Sequence, residues 1–578
     1  MNIRIKAFDG CSRMKGMTLL AYLCSNFFLL NTLFAQSGDW YWIAFRSKPA
    51  GTYSLNQPQA FLSARSIARR VRQGIPLDSS DLPVYQPYID SIQAAGGIVK
   101  HRSRWLNGVT VRIPNNDSLI RQRIWNFPFV RLATPNGRIA GTSGAGLPKD
   151  KFVEELTVSA MQPGITNRTT SVYGFSGGQI RLHKGDYLHD RNFRGQGMRI
   201  AVFDAGFVNM PNMPVFDSLF LRNRIVDTYD FVDMDTVVYE FDSHGTYVMG
   251  CLAANIPGQL MGTAPESQYM LYRSENNVGG SENPIEEDNW VAAAERADSA
   301  GADVFNSSLI YTTFDQPSMN HSWSDMDGNT ARMTIASDWA AAKGILVVNS
   351  AGNYGGGPWY KIGAAADGDS VLAVGAVDTL GQRAGFSSMG PTADGRIKPN
   401  VMSVGAGAAS CQIPGPGVAY ISGTSFSGPI MAGLATCLWQ ALPGRRNMEI
   451  FDLLQRCASR QANPDTVHGY GIPNMQLALS LAGFPANTMN DQPQIRIFPQ
   501  PASVAGPCTL EWESDIPVGD YRITWYSMTG QVIKSQEHVR LFKERNLLPL
   551  ENKPEAGLYG IGIEGLSYQA RIPCLIIP

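Results

Sequence analysis

The chain has 578 residues, of which 44% are apolar and 17% charged, with 58 glycines and a formal net charge of -1. A length of this size exceeds one hydrophobic core and predicts roughly three or four domains of ordinary globular composition. The near-neutral balance excludes nucleic acid or an anionic membrane surface as the main partner.

Lys6, Arg13 and Lys15 precede an apolar run over 17–35, which gives way to Gln36-Ser37-Gly38-Asp39. Basic flank, apolar core and small terminal residue predict a secretory signal over 1–35, cut after Ala35. A membrane anchor is the rival reading, weakened by Ser25, Asn26 and Asn31 inside the run. No later segment approaches ~18 uninterrupted apolar residues, so a secreted or surface-attached protein is expected. Cys11 and Cys24 would leave with the signal. Cys251 and Cys437 lie in apolar helical stretches where buried free thiols are expected, and Cys508–Cys574 is the one disulfide worth testing.

Residues 40–45 read as a strand. Phe61, Ala64, Ile67, Ala68 and Val71 fall at helical spacing, as do Tyr88, Ile89, Ile92 and Ala95, and 97–99 and 108–113 return to strand-type alternation. A small α+β domain over 36–135 follows. Its basic stretch, 64–73, carries Arg65, Arg69, Arg70 and Arg72 and is expected to be the solvated face of a helix. Residues 136–177, rich in Gly, Ser, Thr and Pro, read as a linker.

From 178 to 485 the pattern is α/β. Apolar β-branched runs at 199–203, 268–272, 303–309, 344–348 and 371–377 alternate with helical windows such as 286–300 and 330–343, each ended by a glycine (Gly301, Gly344). This predicts a parallel sheet with helices on both faces and a site at the carboxyl ends of the strands. Beyond 486, short alternating strands broken by Pro and Gly predict a β-sandwich over 486–578.

Three segments of the α/β region carry chemistry. The run 199–203 ends in Asp204-Ala205-Gly206; His244-Gly245-Thr246-Tyr247-Val248 opens a helix; and Gly423-Thr424-Ser425-Phe426-Ser427-Gly428-Pro429 enters another. Because proline is tolerated only in the first turn of a helix, that last helix must start near Thr424 or Ser425. A serine there sits in a field that favours developing negative charge. The order Asp, His, Ser differs from the Ser, Asp, His order of α/β-hydrolases, and Ser427 breaks their G-x-S-x-G pattern.

These segments, together with Ser350-Ala351-Gly352-Asn353, resemble the signature blocks of the subtilisin-like S8 serine peptidases. The resemblance implies Ser425 as nucleophile, His244 as its base, Asp204 as the group orienting that base, and Asn353 in the oxyanion hole. It also implies peptide pairing along Ser308, Leu309 and Ile310 and around Ser350, Ala351 and Gly352. No cofactor is implied as essential; Asp230, Asp233 and Asp235 are a weak calcium candidate, a solvated acidic loop being the alternative. Tyr247 stands where the family has a second histidine, Ala205 where it has Ser or Thr, and Ile310 where it has Gly.

Residues 61–107, with Asp81-Leu82-Pro83-Val84 and Trp105-Leu106-Asn107, resemble the propeptide of Bacteroidetes S8 peptidases, which implies an inhibitory prodomain. The last ~90 residues, with Met528-Thr529-Gly530-Gln531 and Gly557-Leu558-Tyr559, resemble a type A sorting domain of the type IX secretion system, which implies that machinery as a partner. Polypeptides are the implied substrates. A catalytically silent surface or binding protein on the same fold is the alternative function.

Overall fold

The computed structural model describes residues 38–49, 51–138, 159–160, 172–277 and 281–484. Beyond these it describes 495–498, 502–503, 509–512, 519–527, 531–541, 546–549, 554–555, 557–564 and 569–577. The expected signal, most of the linker and Cys508 lie outside these residues.

The N-terminal unit is α+β as expected. Strands β1 (Gly38–Phe45), β2 (Ile98–Ser103), β3 (Gly108–Pro114) and β4 (Val130–Arg138) form an antiparallel sheet in the order β2-β3-β1-β4. Helices α1 (Ala64–Gln73), α2 (Gln86–Ala94) and α3 (Ser118–Trp125) accompany it. Ile43, Ile89, Ile92, Val109, Val111 and Ile124 close its core.

Helix α1 reverses the reading from its sequence. Ser63 caps it by accepting from Ser66 N–H, but the buried residues are Ser66, Arg69, Arg70 and Gln73, whereas Val71 is 74% exposed. Arg69 and Arg70 are each 1% exposed and are therefore not a solvated face. The reason is tertiary: carboxylates of the α/β unit meet the arginine face, and an ion-paired guanidinium can be buried where an unpaired one cannot.

In the α/β unit, seven parallel strands run in the order β11-β10-β9-β8-β5-β7-β6. They are β5 (Arg199–Asp204), β6 (Ile225–Asp230), β7 (Gln268–Arg273), β8 (Val304–Ser307), β9 (Leu346–Ser350), β10 (Val371–Val377) and β11 (Val401–Val404). The five expected strands are all present; β6 and β11, too short or too polar to stand out, are additional. Helices α4 (His244–Ala253), α5 (Ile285–Ala300), α6 (Arg332–Ala342) and α7 (Thr424–Ala441) pack around the sheet. Gly301 (φ 89°) ends α5 in the left-handed conformation that glycine adopts without strain.

Two buried apolar clusters cover the two faces of the sheet, as an all-parallel sheet requires: one includes α4 and α7, the other Trp290, Phe203 and Phe305. Helix α4 is buried at every position. Its glycines are needed for that: a Cβ on Gly245 would lie 2.3 Å from the Gly206 carbonyl oxygen, and one on Gly250 2.1 Å from Ser410 Oγ. Cys251 and Cys437 are buried free thiols, pushed far above the usual thiol range by burial. After 495, a three-stranded and a five-stranded sheet form the C-terminal β region. Among the described residues, no helix is long and apolar enough to cross a membrane.

Candidate active site

Asp204 is the last residue of β5 and is fully buried. His244 is the first residue of α4, held there by its backbone N–H, which donates to Asp242 Oδ1 at 2.7 Å. The two side chains meet: His244 Nδ1 lies 2.9 Å from Asp204 Oδ1, and neither side chain is exposed. Burial raises the Asp204 carboxyl above its ordinary value; the opposing pull of His244 and the Ala205 N–H bond (2.8 Å) does not cancel it. Among the described residues, Oδ2 of Asp204 has no hydrogen-bond partner. Ala205 offers the carboxylate its backbone N–H, on Oδ1, and has no hydroxyl to offer Oδ2.

Ser425 is the second residue of α7, 2% exposed, with Oγ 3.4 Å from the Ser308 carbonyl oxygen. Phe426 lies against His244, ring centroids 5.7 Å apart. The helix starts at Thr424 as expected, but Pro429 is its sixth residue, one turn deeper than the first-turn rule allows. Proline removes the N–H that would bond the carbonyl four residues earlier, and that carbonyl belongs to Ser425. Ser308 Oγ supplies the missing donor, at 2.9 Å from Ser425 O. The residue that lies beside the nucleophile thus also repairs the backbone defect beneath it.

Asn353 follows β9. Its Oδ1 accepts from the Thr424 N–H (2.8 Å) and the Thr424 hydroxyl (2.9 Å), while that hydroxyl accepts from Gly352 N–H (3.1 Å). The amide orientation is thereby set, with Oδ1 committed to Thr424 and the Nδ2 donors carried on the other side. Gly352 needs its φ of 104°, and Ala351 N–H is tied to Val374 O at 3.0 Å. Ser350 is the last residue of β9.

Ser308 and Leu309 extend β8, with Leu309 O accepting from Asn349 at 3.2 Å. Ile310 turns inward. It packs on the cluster of Ala351, Ile362, Ala366 and Ala373, and a Cβ on Gly363 would lie 2.6 Å from its Cγ2. Its side chain is partly buried on that cluster, in space that a glycine would leave open.

The three candidate calcium residues do not share one site. Asp230 and Asp233 pair with Arg273 Nη1 at 2.7 and 2.6 Å, and Asp235 caps Val237 N–H at 2.8 Å. A guanidinium occupies the position a cation would need. Among the described residues, the carboxylates close enough to share an ion are Glu275, Glu282 and Glu286, within 4.8 Å of one another. Tyr311 donates to Glu275 and the Asn276 and Asn283 N–H groups to Glu286.

Sequence reading missed Asp242, Thr424 and the backbone role of Ser308. Asp242, two residues before a helix start, has the spacing of a local cap and was detectable. The other two depend on contacts across more than seventy residues.

Residues 195–471 match the subtilase family, and residues 40–142 match the Bacteroidota propeptide domain of S8 peptidases. The chain is similar to a thermophilic serine proteinase of Bacillus sp. (strain AK1), 32% identical over 302 residues, covering 51% of this chain and 65% of that protein. Subtilisin NAT of Bacillus subtilis subsp. natto is 30% identical, with 51% and 69% of the two chains covered. Subtilisin of Bacillus pumilus is also 30% identical, with 51% of this chain and 95% of that protein covered.

Proposed function

The chain belongs to the subtilase family of serine peptidases, and on that premise we propose that it hydrolyses internal peptide bonds of polypeptides through Asp204, His244 and Ser425. The observation that carries this reading is the fully buried His244 Nδ1–Asp204 Oδ1 contact of 2.9 Å beside the start of α7. With Nδ1–H committed to the carboxylate, His244 presents Nε2 as a base. It takes the Ser425 proton as Oγ attacks the scissile carbonyl, and Asp204 stabilises the imidazolium so formed. The same imidazolium then protonates the leaving amine; an acyl-enzyme on Ser425 remains, and water attacks it by the reverse sequence.

The Asn353 amide, oriented through Thr424, and the Ser425 backbone N–H receive the tetrahedral oxyanion. A side-chain donor of this kind contributes ~3–4 kcal/mol, a value known from subtilisin itself. An extended substrate pairs along Ser308 and Leu309. The triad needs no cofactor for this chemistry. Ile310, packed on Ala351 of the segment that leads to Asn353, narrows the groove and selects small side chains at the residue that is cut.

The N-terminal unit acts as an inhibitor that leaves on maturation, the preceding segment as an export signal, and the C-terminal β region as a sorting domain for the type IX machinery. A fluorophosphonate probe tests the core of this reading. It should label the processed protein and not the Ser425→Ala chain; absence of labelling on verified mature protein would sink it.

A further inference from the structure

Where the N-terminal unit meets α5, the α/β unit contributes three buried carboxylates: Glu295 (7% exposed), Asp298 (0%) and Asp303 (1%). Among the described residues, every arginine or lysine ion-paired to them comes from the N-terminal unit. Asp298 receives Arg69, Arg70 (2.9 Å) and Arg104 (2.5 Å); Asp303 receives Arg65 and Arg72 (3.3 Å); Glu295 faces Arg104 and also accepts from Ser103 Oγ (2.6 Å) and Trp105 N–H (3.1 Å). Burial would raise the Asp298 carboxyl, yet the three guanidiniums hold it at about 2. The complement continues with opposite sign, since Lys343 of the α/β unit meets Asp78 and Asp81 at 3.2 Å each.

Helix polarity makes this placement informative. Carboxylates stabilise the start of a helix and destabilise its end, where carbonyl dipoles converge. Glu286, Glu287 and Asp288 sit in the first turn of α5 and suit it, whereas Glu295 and Asp298 sit toward its end, with no basic residue in the last turn. The α/β unit alone gains nothing from acids there. They are explained by cations arriving from outside, and the structure shows such cations seated.

This surface lies away from the chemistry. Asp303 precedes β8 and Ser308 follows it, so the two are separated by five extended residues, ~16 Å along the strand. A short substrate bound at Ser425 does not reach it.

We propose that, once the N-terminal unit has left, Asp298, Asp303 and Lys343 form a docking surface for protein substrates that carry a helix with arginines spaced as residues 65, 69, 70 and 72, followed by carboxylates placed as Asp78 and Asp81. In the uncut chain α1 occupies this surface; in the mature enzyme it recruits substrates. The inference rests on the peptidase reading for its purpose, but its binding step does not require catalysis.

The probe is a synthetic peptide of residues 58–84. The N-terminal unit is removed by the chain's own processing or by an external protease site inserted within 139–158, and peptide binding is read by fluorescence anisotropy. The mature protein should bind the peptide, and the uncut Ser425→Ala chain, already occupied in cis, should not. An Arg69→Gln/Arg70→Gln peptide should bind about thirty-fold or more weakly, because the two changes together strip the buried Asp298 of both guanidiniums the peptide offers it. Because the substitutions are in the peptide, misfolding of the enzyme cannot mimic the result. In parallel, a protein substrate fused to 58–84 should be cut with a KM about tenfold lower than its Gln/Gln version, with hydrolysis of a short chromogenic peptide unchanged. Equal binding of the two peptides, no binding to the mature protein, or equal binding to the uncut chain overturns the proposal. Binding without any hydrolysis overturns the peptidase reading alone.

Discussion

His101 makes the grip of the N-terminal unit dependent on pH. It lies on β2, 4% exposed, with Nε2 2.8 Å from Oδ1 of Asn289 on α5. Asn289 Nδ2 donates to Ser274 O, so its Oδ1 is the acceptor and the imidazole is the donor. Burial first and the adjacent Lys100 ammonium second push the imidazole from 6.5 down to about 3, against the pull of Asn289 and the Phe231 backbone. The sign follows directly. Docked, His101 stays neutral through mildly acid pH; released into water, it takes up a proton below 6.5. The His101 contribution to docking stability is therefore complete above 6.5 and falls as pH drops toward 3, by about 1.4 kcal/mol per pH unit. At pH 5 the loss is about 2 kcal/mol, roughly thirty-fold in the dissociation constant. The assay is release of the cut N-terminal unit from the processed complex, measured chromatographically at pH 7 and 5. His101→Gln keeps an N–H donor for Asn289 but cannot titrate, so its complex should lose most of this thirty-fold change. If the variant releases with the same pH dependence as the parent, the reasoning is wrong.

Two further substitutions probe the site. Ala205→Ser places a hydroxyl donor beside the unserved Asp204 Oδ2; one added hydrogen bond of about 1 kcal/mol should raise kcat/KM up to about fivefold. A fall in kcat/KM with unchanged folding would show that the pocket has no room for the hydroxyl. Ile310→Gly removes the side chain packed against Gly363 and should shift preference toward bulky residues at the cut position. Each added methylene there should gain about 1 kcal/mol in transition-state binding, read as kcat/KM over a series of peptides differing only at that residue. An unchanged preference would place the specificity pocket elsewhere.

Much of the site was legible because its parts are local. A carboxylate at the end of an apolar β-branched run, a histidine before small helical residues and a serine after Gly423 each declare their element by sequence pattern, and the resemblance supplied their roles. The parallel sheet was legible for the same reason, since strands buried on both faces read as continuous apolar runs. Helix α1 was not. Its apolar positions repeat with helical period, yet Val71 points outward and Arg69 and Arg70 inward. Periodicity assumes that the buried face is apolar, and here it is ionic.

Sequence by itself therefore determined which residues could form the triad, the parallel α/β character of the middle of the chain and, to within a residue, where α7 begins. The tertiary structure decided what each depends on: Ser308 repairs the carbonyl that Pro429 orphans, Thr424 sets the Asn353 amide, and Ile310 packs against Gly363. It also turned α1 around. The physical reason is the same throughout. Hydrogen bonds and ion pairs between residues distant in the chain leave no periodic trace, because each partner looks locally like an ordinary polar residue until the fold brings its complement within ~3 Å.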